Sequence, residues 1–173
     1  MPALSDFSRP TQHLTAADPR ETLVHMRQMA RLGINDARVR LLAEQIVRNV
    51  FPHDYLSEFA AFLNWVRTHI RYSRDPVDIE QLKTPQVTLE TETGDCDDQS
   101  ILLAAFCAQL GARVRFVAGA FKFSGSEPIF AHVWCEAFDP SSKVWVVLDA
   151  VPGRRVAEMI DRLVDSMVLM VAE

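Results

Sequence analysis

Residues 94–111 read GDCDDQSILLAAFCAQLG, and this stretch decides the predicted fold. After the acidic start, nearly every position up to Leu110 is apolar, which predicts an α-helix over 95–110 that is surrounded by protein on all sides. Gly111 follows in the place expected for a helix-ending glycine. The rest of the chain is therefore expected to pack around a central helix that begins at a cysteine.

Cys96 stands in the first turn of this helix, between Asp95 and the pair Asp97 and Asp98. The positive end of the helix dipole favours a thiolate at this position, whereas neighbouring carboxylates oppose one. Asp95 is a good N-cap residue and Asp98 occupies the third helical position, as in a capping box, so part of the acidity has a structural explanation. These residues leave three interpretations open: a nucleophile, a metal site, or a capped packing helix.

The sequence before this helix predicts mainly helical structure. Residues 1–19 are polar and are expected to form an arm with little structure of its own. Apolar residues at helical spacing then predict three amphipathic helices, over 20–33, 36–50 and 55–70. We therefore divide the chain into the arm, a helical N-terminal extension over 20–53, and a core domain over 54–173.

After Gly111 the apolar period changes from 3.6 to 2. Strands are predicted for RVRFVAGAFKF (113–123), AHVWCEAF (131–138) and KVWVVLDAV (143–151), with DPSS as the turn between the last two. Residues 154–172 carry apolar positions at helical spacing and predict a closing helix at the C-terminus of the core domain. The predicted fold class is α+β, with helices followed by an antiparallel sheet packed on a buried central helix.

The predicted hairpin brings two further reactive side chains together. His132 begins one strand and Asp149 ends the next, so both lie at the same end of the hairpin and their side chains can hydrogen-bond. A thiol, an imidazole that takes its proton and a carboxylate that orients the imidazole are the parts of Cys–His–Asp acyl transfer. Cys96, His132 and Asp149 are therefore the predicted catalytic residues.

Composition limits the partners and the compartment. The 173 residues carry a formal net charge of −5, which argues against nucleic acid or an anionic membrane surface as partner. No apolar run is long enough for a membrane span, and the N-terminus does not read as a secretory signal. Three cysteines at wide spacing predict free thiols and a cytoplasmic location, with Cys107 and Cys135 as packing residues.

The ordered motifs resemble the transglutaminase-like superfamily of papain-fold cysteine enzymes, over about residues 59–150. The matching residues are a cysteine that opens a helix ending in LG, a strand glycine, an H-x-W strand and a W…D strand: Cys96, Leu110, Gly111, Gly119, His132, Trp134, Trp145 and Asp149. The upstream segment FLNWVRTHIRY is similar to the helix and tyrosine that precede the family's core.

The resemblance implies a role for each site residue. Cys96 would be the nucleophile, His132 the general base and Asp149 the residue that orients the base. The backbone N–H of Cys96 would be one oxyanion donor. The family's second donor comes from upstream of the cysteine, and Gln86 is a candidate for it by residue type only.

The acidic flank also has a counterpart among relatives. GDCDD is similar to the GDCED of bacterial transglutaminase-like cysteine proteinases, some of which bind calcium beside the active site. Carboxylate oxygens suit Ca²⁺, and a cation would relieve repulsion on the thiolate. Successive helical residues point about 100° apart, so Asp95, Asp97 and Asp98 cannot all converge on one ion without loop ligands. The predicted chemistry requires no cofactor, and calcium is a speculative ligand of these three carboxylates.

We therefore expect a cysteine enzyme of transglutaminase-like type that hydrolyses a peptide, isopeptide or related amide bond through a thioester. Its partner would be a protein or peptide substrate, and the small chain favours hydrolysis over cross-linking. The alternative is a non-catalytic interaction or assembly module on the same fold, for example a phage or prophage structural protein, that docks on a partner through the N-terminal arm.

Overall fold

A computed structural model describes residues 11–14, 18–75, 80–151, 153 and 160–172 of the chain. The described helices are α1 (Pro19–Ile34), α2 (Ala37–Val47), α3 (Tyr55–His69), α4 (Pro85–Thr91) and α5 (Cys96–Gln109). The described strands are β1 (Thr11–Leu14), β2 (Arg71–Tyr72), β3 (Glu80–Lys83), β4 (Thr93–Gly94), β5 (Val114–Ser124), β6 (Glu127–Asp139), β7 (Val144–Leu148) and β8 (Asp165–Ala172). No described helix is long and apolar enough to cross a bilayer.

Helix α5 is the centre of the fold, as its sequence predicted. Its N-cap is Asp95, whose side chain accepts hydrogen bonds from the backbone N–H groups of Asp97 and Asp98. The middle of the helix, from Ile101 to Cys107, is fully buried. Helices α1, α3 and α4 and strand β6 pack around it, so its apolar surface is covered on all sides and needs no polar face.

The main sheet is antiparallel, with the strand order β7-β6-β5-β8. Strands β5, β6 and β7 overlap the segments that the period of two predicted, and this arrangement confirms the α+β class. Strand β6 begins at Glu127, so His132 lies within the strand rather than at its start, and β7 ends at Leu148. Along β6, Val133, Cys135 and Ala137 face the core shared with α5, whereas Trp134 belongs to a second apolar cluster. One face of β6 therefore packs in the core with α5, and Trp134 on the other face packs in the second apolar cluster.

The C-terminal prediction was wrong for the residues that the structure describes there. Residues 165–172 form strand β8 on the edge of β5 rather than part of a closing helix, and 154–159 lie outside the described residues. An unpaired β5 edge would leave a row of backbone N–H and C=O groups without partners. Hydrogen bonding to that edge stabilises a strand over residues 165–172, although their apolar residues are spaced as in a helix.

The arm prediction also needs correction where residues are described. Thr11–Leu14 forms β1, which pairs antiparallel with β3, so part of the predicted arm is docked on the core domain. Residues 1–10 and 15–17 lie outside the described residues. The segment 71–94, polar and without a clear period, contains three short strands and α4. One of its pairings is parallel and sets Tyr72 opposite Gly94, two residues before Cys96.

Candidate active site

Cys96 is the first residue of α5 and is half-buried. Its thiol lies 3.7 Å from Asp97 Oδ1, as a donor to that carboxylate. Its backbone carbonyl accepts a hydrogen bond of 2.6 Å from the Ser100 hydroxyl, which fixes the first turn. The unpaired N–H groups at a helix start favour a negatively charged sulfur, whereas the nearby carboxylates of Asp95 and Asp97 oppose one.

The other two cysteines have no such environment. Cys107 and Cys135 are fully buried in the core, as their apolar surroundings in the sequence predicted. Burial raises the pKa of both thiols above the ordinary value, because a thiolate would lose its hydration there. Cys96 is thus the cysteine of this chain that stands at a partly exposed helix start.

His132 and Asp149 form a buried pair at the end of the β6–β7 hairpin. His132 Nε2 lies 2.9 Å from Asp149 Oδ2, the hydrogen bond that the predicted hairpin requires. The other carboxylate oxygen, Oδ1, accepts from the backbone N–H of Val151 at 3.0 Å. Since both oxygens of Asp149 have a partner, its carboxylate is fixed and in turn fixes the imidazole.

Trp134 shields this pair from solvent. Its ring stacks on the His132 ring with the centroids 6.0 Å apart. The indole N–H donates to Glu136 Oε1 at 2.9 Å, so the buried tryptophan has its polar atom satisfied. The H-x-W motif therefore places a fixed aromatic surface next to the imidazole.

A cavity of about 260 Å³ brings Cys96 and His132 together. The start of α5, strand β5 and strand β6 form three of its sides, and α1 forms another. The lining residues are Pro19, Thr22, Leu23, Met26, Asp95, Cys96, Asp97, Ala118, Phe130, Ala131, His132 and Val133. The Cys96 thiol and the oriented imidazole of His132 thus line one cavity, which is large enough for a small acyl group.

The acidic flank of Cys96 separates into two parts. Atoms of Asp95, Cys96 and Asp97 suited to bind a metal ion lie within 4.8 Å of one another. Asp98 instead accepts from Lys83 Nζ at 2.8 Å and from the Lys83 backbone N–H at 2.8 Å. Burial raises the pKa of Asp98, and the hydrogen bonds and charge of Lys83 oppose that rise. Asp98 thus joins α5 to β3 rather than the group around the thiol.

This geometry bears on the calcium prediction. Calcium takes about six to eight oxygen ligands. Among the described residues, the group at Cys96 offers two carboxylates and a sulfur, and one oxygen of Asp95 already caps α5. These side chains alone do not supply that number of oxygen ligands, and a calcium site here stays a prediction.

Gln86 does not stand where an oxyanion donor is needed, and this prediction was wrong. Its side-chain amide donates to Asp36 Oδ2 at 3.1 Å and to the Leu32 carbonyl at 3.3 Å, on the side of α4 that faces α1 and α2. Gln86 also does not line the cavity that contains Cys96. Residue type alone could not reveal which face of α4 the glutamine occupies.

Two further residues bear on the site. Arg67, an exposed residue of α3, donates from Nη2 to the backbone carbonyl of Asp149 at 2.6 Å. Tyr72 is half-buried beside Gly94, and its pKa is raised by burial and by the negative charges of Cys96 and Asp95. No local pattern identified Arg67, and the resemblance of FLNWVRTHIRY to the helix and tyrosine before the family's core gave Tyr72 no role in the site.

Comparison with known proteins supports the same family. A family model described as "Transglutaminase-like superfamily" matches residues 41–150, and no curated protein matches the sequence. A proposed cysteine protease from Cytophaga hutchinsonii aligns with a TM-score of 0.54 at 15% identity, over 92% of this chain and 58% of its own. A proposed protease from Parabacteroides distasonis aligns with a TM-score of 0.57 at 9% identity, over 87% of this chain and 30% of its own.

The chain therefore spans 58% and 30% of these two structures, and at such low identity the likeness concerns the fold alone. The family model rests on the sequence itself and covers more than half of the 173 residues, from Leu41 within α2 to Ala150. With the helix, the hairpin and the cavity arranged as described, the chain belongs to the transglutaminase-like superfamily.

Proposed function

We propose that this protein is a cysteine-dependent acyl-transfer enzyme that hydrolyses a peptide, isopeptide or related amide bond. The observation that carries the proposal is the cavity lined by both Cys96 and His132, whose imidazole is hydrogen-bonded to the buried Asp149. A packing cysteine does not require a fixed imidazole beside the same cavity. The family and the fold of two proteins named as proteases agree with this chemistry.

The hydrogen bond between His132 and Asp149 determines which nitrogen acts as the base. The carboxylate can only accept, so neutral His132 carries its proton on Nε2 and donates it to Asp149 Oδ2. Nδ1 is then unprotonated and able to take the thiol proton of Cys96. Asp149 holds the imidazole in this tautomer and stabilises the imidazolium after the transfer.

The reaction then follows from these positions. The Cys96 sulfur attacks the amide carbon, and the imidazolium of His132 gives its proton to the leaving amine as the carbon–nitrogen bond breaks. The resulting thioester is attacked by water, which loses a proton to His132, and the acid product and thiol are released. Hydrolysis regenerates the free thiol and the neutral imidazole, so the proposed reaction consumes water and the amide and needs no cofactor.

We propose Tyr72 in place of Gln86 as the second oxyanion donor, beside the backbone N–H of Cys96. Tyr72, like Gln86, does not line the cavity around Cys96, so the proposal rests on its position near the start of α5. Its parallel pairing with Gly94 places it next to the loop that leads into α5. Its hydroxyl is protonated at neutral pH and can donate a hydrogen bond. Loss of one oxyanion donor lowers kcat by about 10²–10³ in other enzymes. We expect an effect of this size for Tyr72→Phe on hydrolysis.

The first test measures which cysteine reacts with iodoacetamide in the folded protein, by mass mapping over time. We expect Cys96 to be alkylated much faster than the buried Cys107 and Cys135. Cys96→Ala should abolish the fast phase, and His132→Gln should slow it, because the base is removed while the thiol remains. Equal, slow labelling of all three cysteines would refute the enzyme proposal and favour the non-catalytic module.

The second test separates hydrolysis from transfer to an amine. A quenched casein or peptide library is incubated with the protein, with and without a primary amine such as monodansylcadaverine. Cleavage that depends on Cys96 supports hydrolysis, whereas amine incorporation would make the protein a transferase. Melting with and without Ca²⁺ tests the calcium prediction, because a ligand bound only by the folded state raises the melting temperature.

A further inference from the structure

Helix α1 forms one wall of the cavity that contains Cys96. Pro19 and Thr22 come from its first turns, and Leu23 and Met26 extend the wall toward the core. All four precede residue 41, where the match to the family model begins. A segment outside the matched core therefore shapes the space in which the substrate would lie.

This wall is rigidly attached to the core. Leu23 and Met26 are buried, and the far end of α1 is held where Gly33 meets Pro85 of α4. A Cβ at Gly33 would come within 2.3 Å of the Pro85 ring, so the two helices touch through the glycine backbone. The distance between α1 and the start of α5 is therefore set by packing and not by a movable loop.

The surface of the cavity indicates what kind of side chain it accepts. Its lining is mixed: it is apolar at Leu23, Met26, Ala118, Phe130 and Val133, and polar at Thr22, Cys96 and His132. The carboxylates at the cavity edge, Asp95 and Asp97, would repel an acidic side chain.

The size of the cavity limits the substrate further. A cavity of about 150 Å³ accommodates a benzene-sized group. The 260 Å³ found here therefore suits one medium-sized residue together with the bond to be cleaved.

We propose that α1 is the specificity-determining wall of this cavity and selects substrates with a medium-sized aliphatic residue next to the scissile amide. Thr22 limits the size of that residue, because it is half-buried and lines the cavity beside the fully buried Leu23 and Met26. The inference rests on the proposed function, since it concerns the substrate of the same cysteine.

The test uses N-acetyl-aminoacyl chloromethyl ketones that differ only in the side chain: glycine, leucine, tryptophan or glutamate. The Cys96 sulfur forms a bond to the methylene carbon, chloride leaves with the electron pair of the C–Cl bond, and the thiol proton passes to His132. Second-order rates at Cys96 are measured by mass mapping. Thr68→Phe is the matched control, because Thr68 lies on an exposed part of α3 and does not line the cavity.

In the wild type we expect the leucine reagent to react at least about tenfold faster than the tryptophan and glutamate reagents, within the range that pocket contacts give. Thr22→Phe should slow the leucine reagent by about the same factor. It should slow the glycine reagent and iodoacetamide by a clearly smaller factor. Thr68→Phe should change none of these rates. Equal slowing of the leucine and glycine reagents, or no slowing at all, would overturn the inference.

Thr22→Ala provides a second variant in case Thr22→Phe fails to fold, which circular dichroism would show. It enlarges the cavity, so the rate with the tryptophan reagent should rise relative to leucine, and an unchanged ratio would overturn the inference. Selective iodoacetamide labelling of Cys96 with no effect of either Thr22 variant would leave the proposed enzyme intact and refute only the role of α1. Absence of selective labelling in the wild type would refute both.

Discussion

Replacing Lys83 by methionine tests whether a buried ion pair fixes the start of α5. The Asp98 side chain is fully buried and that of Lys83 is 12% exposed, with Nζ and Oδ2 2.8 Å apart. Asp98 lies two residues after Cys96, so this pair joins β3 to the first turn of the helix that carries the thiol. Methionine keeps much of the length and apolar character of the lysine side chain and removes its charge.

The expected loss is large because one charge would remain buried. Breaking a buried ion pair by removal of one partner typically costs about 3–5 kcal/mol. Asp98 would keep the backbone N–H of residue 83 as a donor at 2.8 Å, so we expect a loss at the lower end, about 3 kcal/mol. The pair Arg38–Glu90 provides the control, since its side chains are 67% and 62% exposed. Arg38→Met should cost less than about 1 kcal/mol.

The free energy of unfolding is measured by urea titration of the wild type and both variants. The pKa of Asp98 is raised by burial above the ordinary 3.8, so the protonated carboxyl stabilises the fold, and that stability is lost as the pH rises through the folded-state pKa. Removing the ammonium raises this pKa further. The loss in Lys83→Met should therefore grow from mildly acidic to neutral pH.

The variant Lys83→Met/Asp98→Asn should recover part of the lost stability at neutral pH, because no charge is left buried. A loss in Lys83→Met no larger than that in Arg38→Met, and independent of pH, would refute this account of the helix start. Iodoacetamide labelling of Lys83→Met should also slow at Cys96 if the pair positions the thiol.

Three further predictions follow from other contacts. Gly94→Ala places a Cβ within 2.6 Å of the Asp98 Cβ, so it should destabilise the protein by about 1–3 kcal/mol in urea titration, and an unchanged midpoint would contradict the close approach. Asp139 accepts four hydrogen bonds in its turn, and its pKa is lowered to about 2 from 3.8, mainly by the side chains of two serines. Its contribution is present above 3.8 and lost as the pH falls toward 2, so Asp139→Asn should lower the melting temperature at neutral pH and converge with the wild type in acid. Arg67→Met removes the 2.6 Å bond to the carbonyl of Asp149, so kcat should fall while KM is unchanged, and an altered KM with normal kcat would argue against a positioning role.

Local sequence patterns were sufficient to predict the elements whose burial and bounds follow from their own residues. The apolar surface of α5 is complete in the sequence, so its burial and its bounds could be predicted to within about one residue. The hairpin of β6 and β7 follows from alternation and a turn, which in turn predicted the His132–Asp149 bond. Asp95 as N-cap is a short-range effect and was equally predictable.

The wrong predictions share one physical cause: the conformation or contacts of these residues depend on partners that are distant in sequence. Residues 165–172 have apolar positions compatible with a helix, but the open edge of β5 makes a strand of them. Asp98 was grouped with Asp95 and Asp97 as a possible metal ligand. The structure pairs it instead with Lys83, which lies 15 residues away in sequence. Gln86 has a side chain that could donate to an oxyanion, but it lies on the face of α4 that contacts Asp36.

The sequence by itself determined the fold class, the central helix and the pairing of His132 with Asp149, because these depend on periodicity and on neighbours along the chain. Only the tertiary structure decided that α1 forms a wall of the cavity, that Arg67 holds the backbone at Asp149, and that Tyr72 lies beside the loop entering α5. These contacts join segments far apart in sequence. They arise from packing and strand pairing between distant segments, and local residue patterns do not predict such contacts.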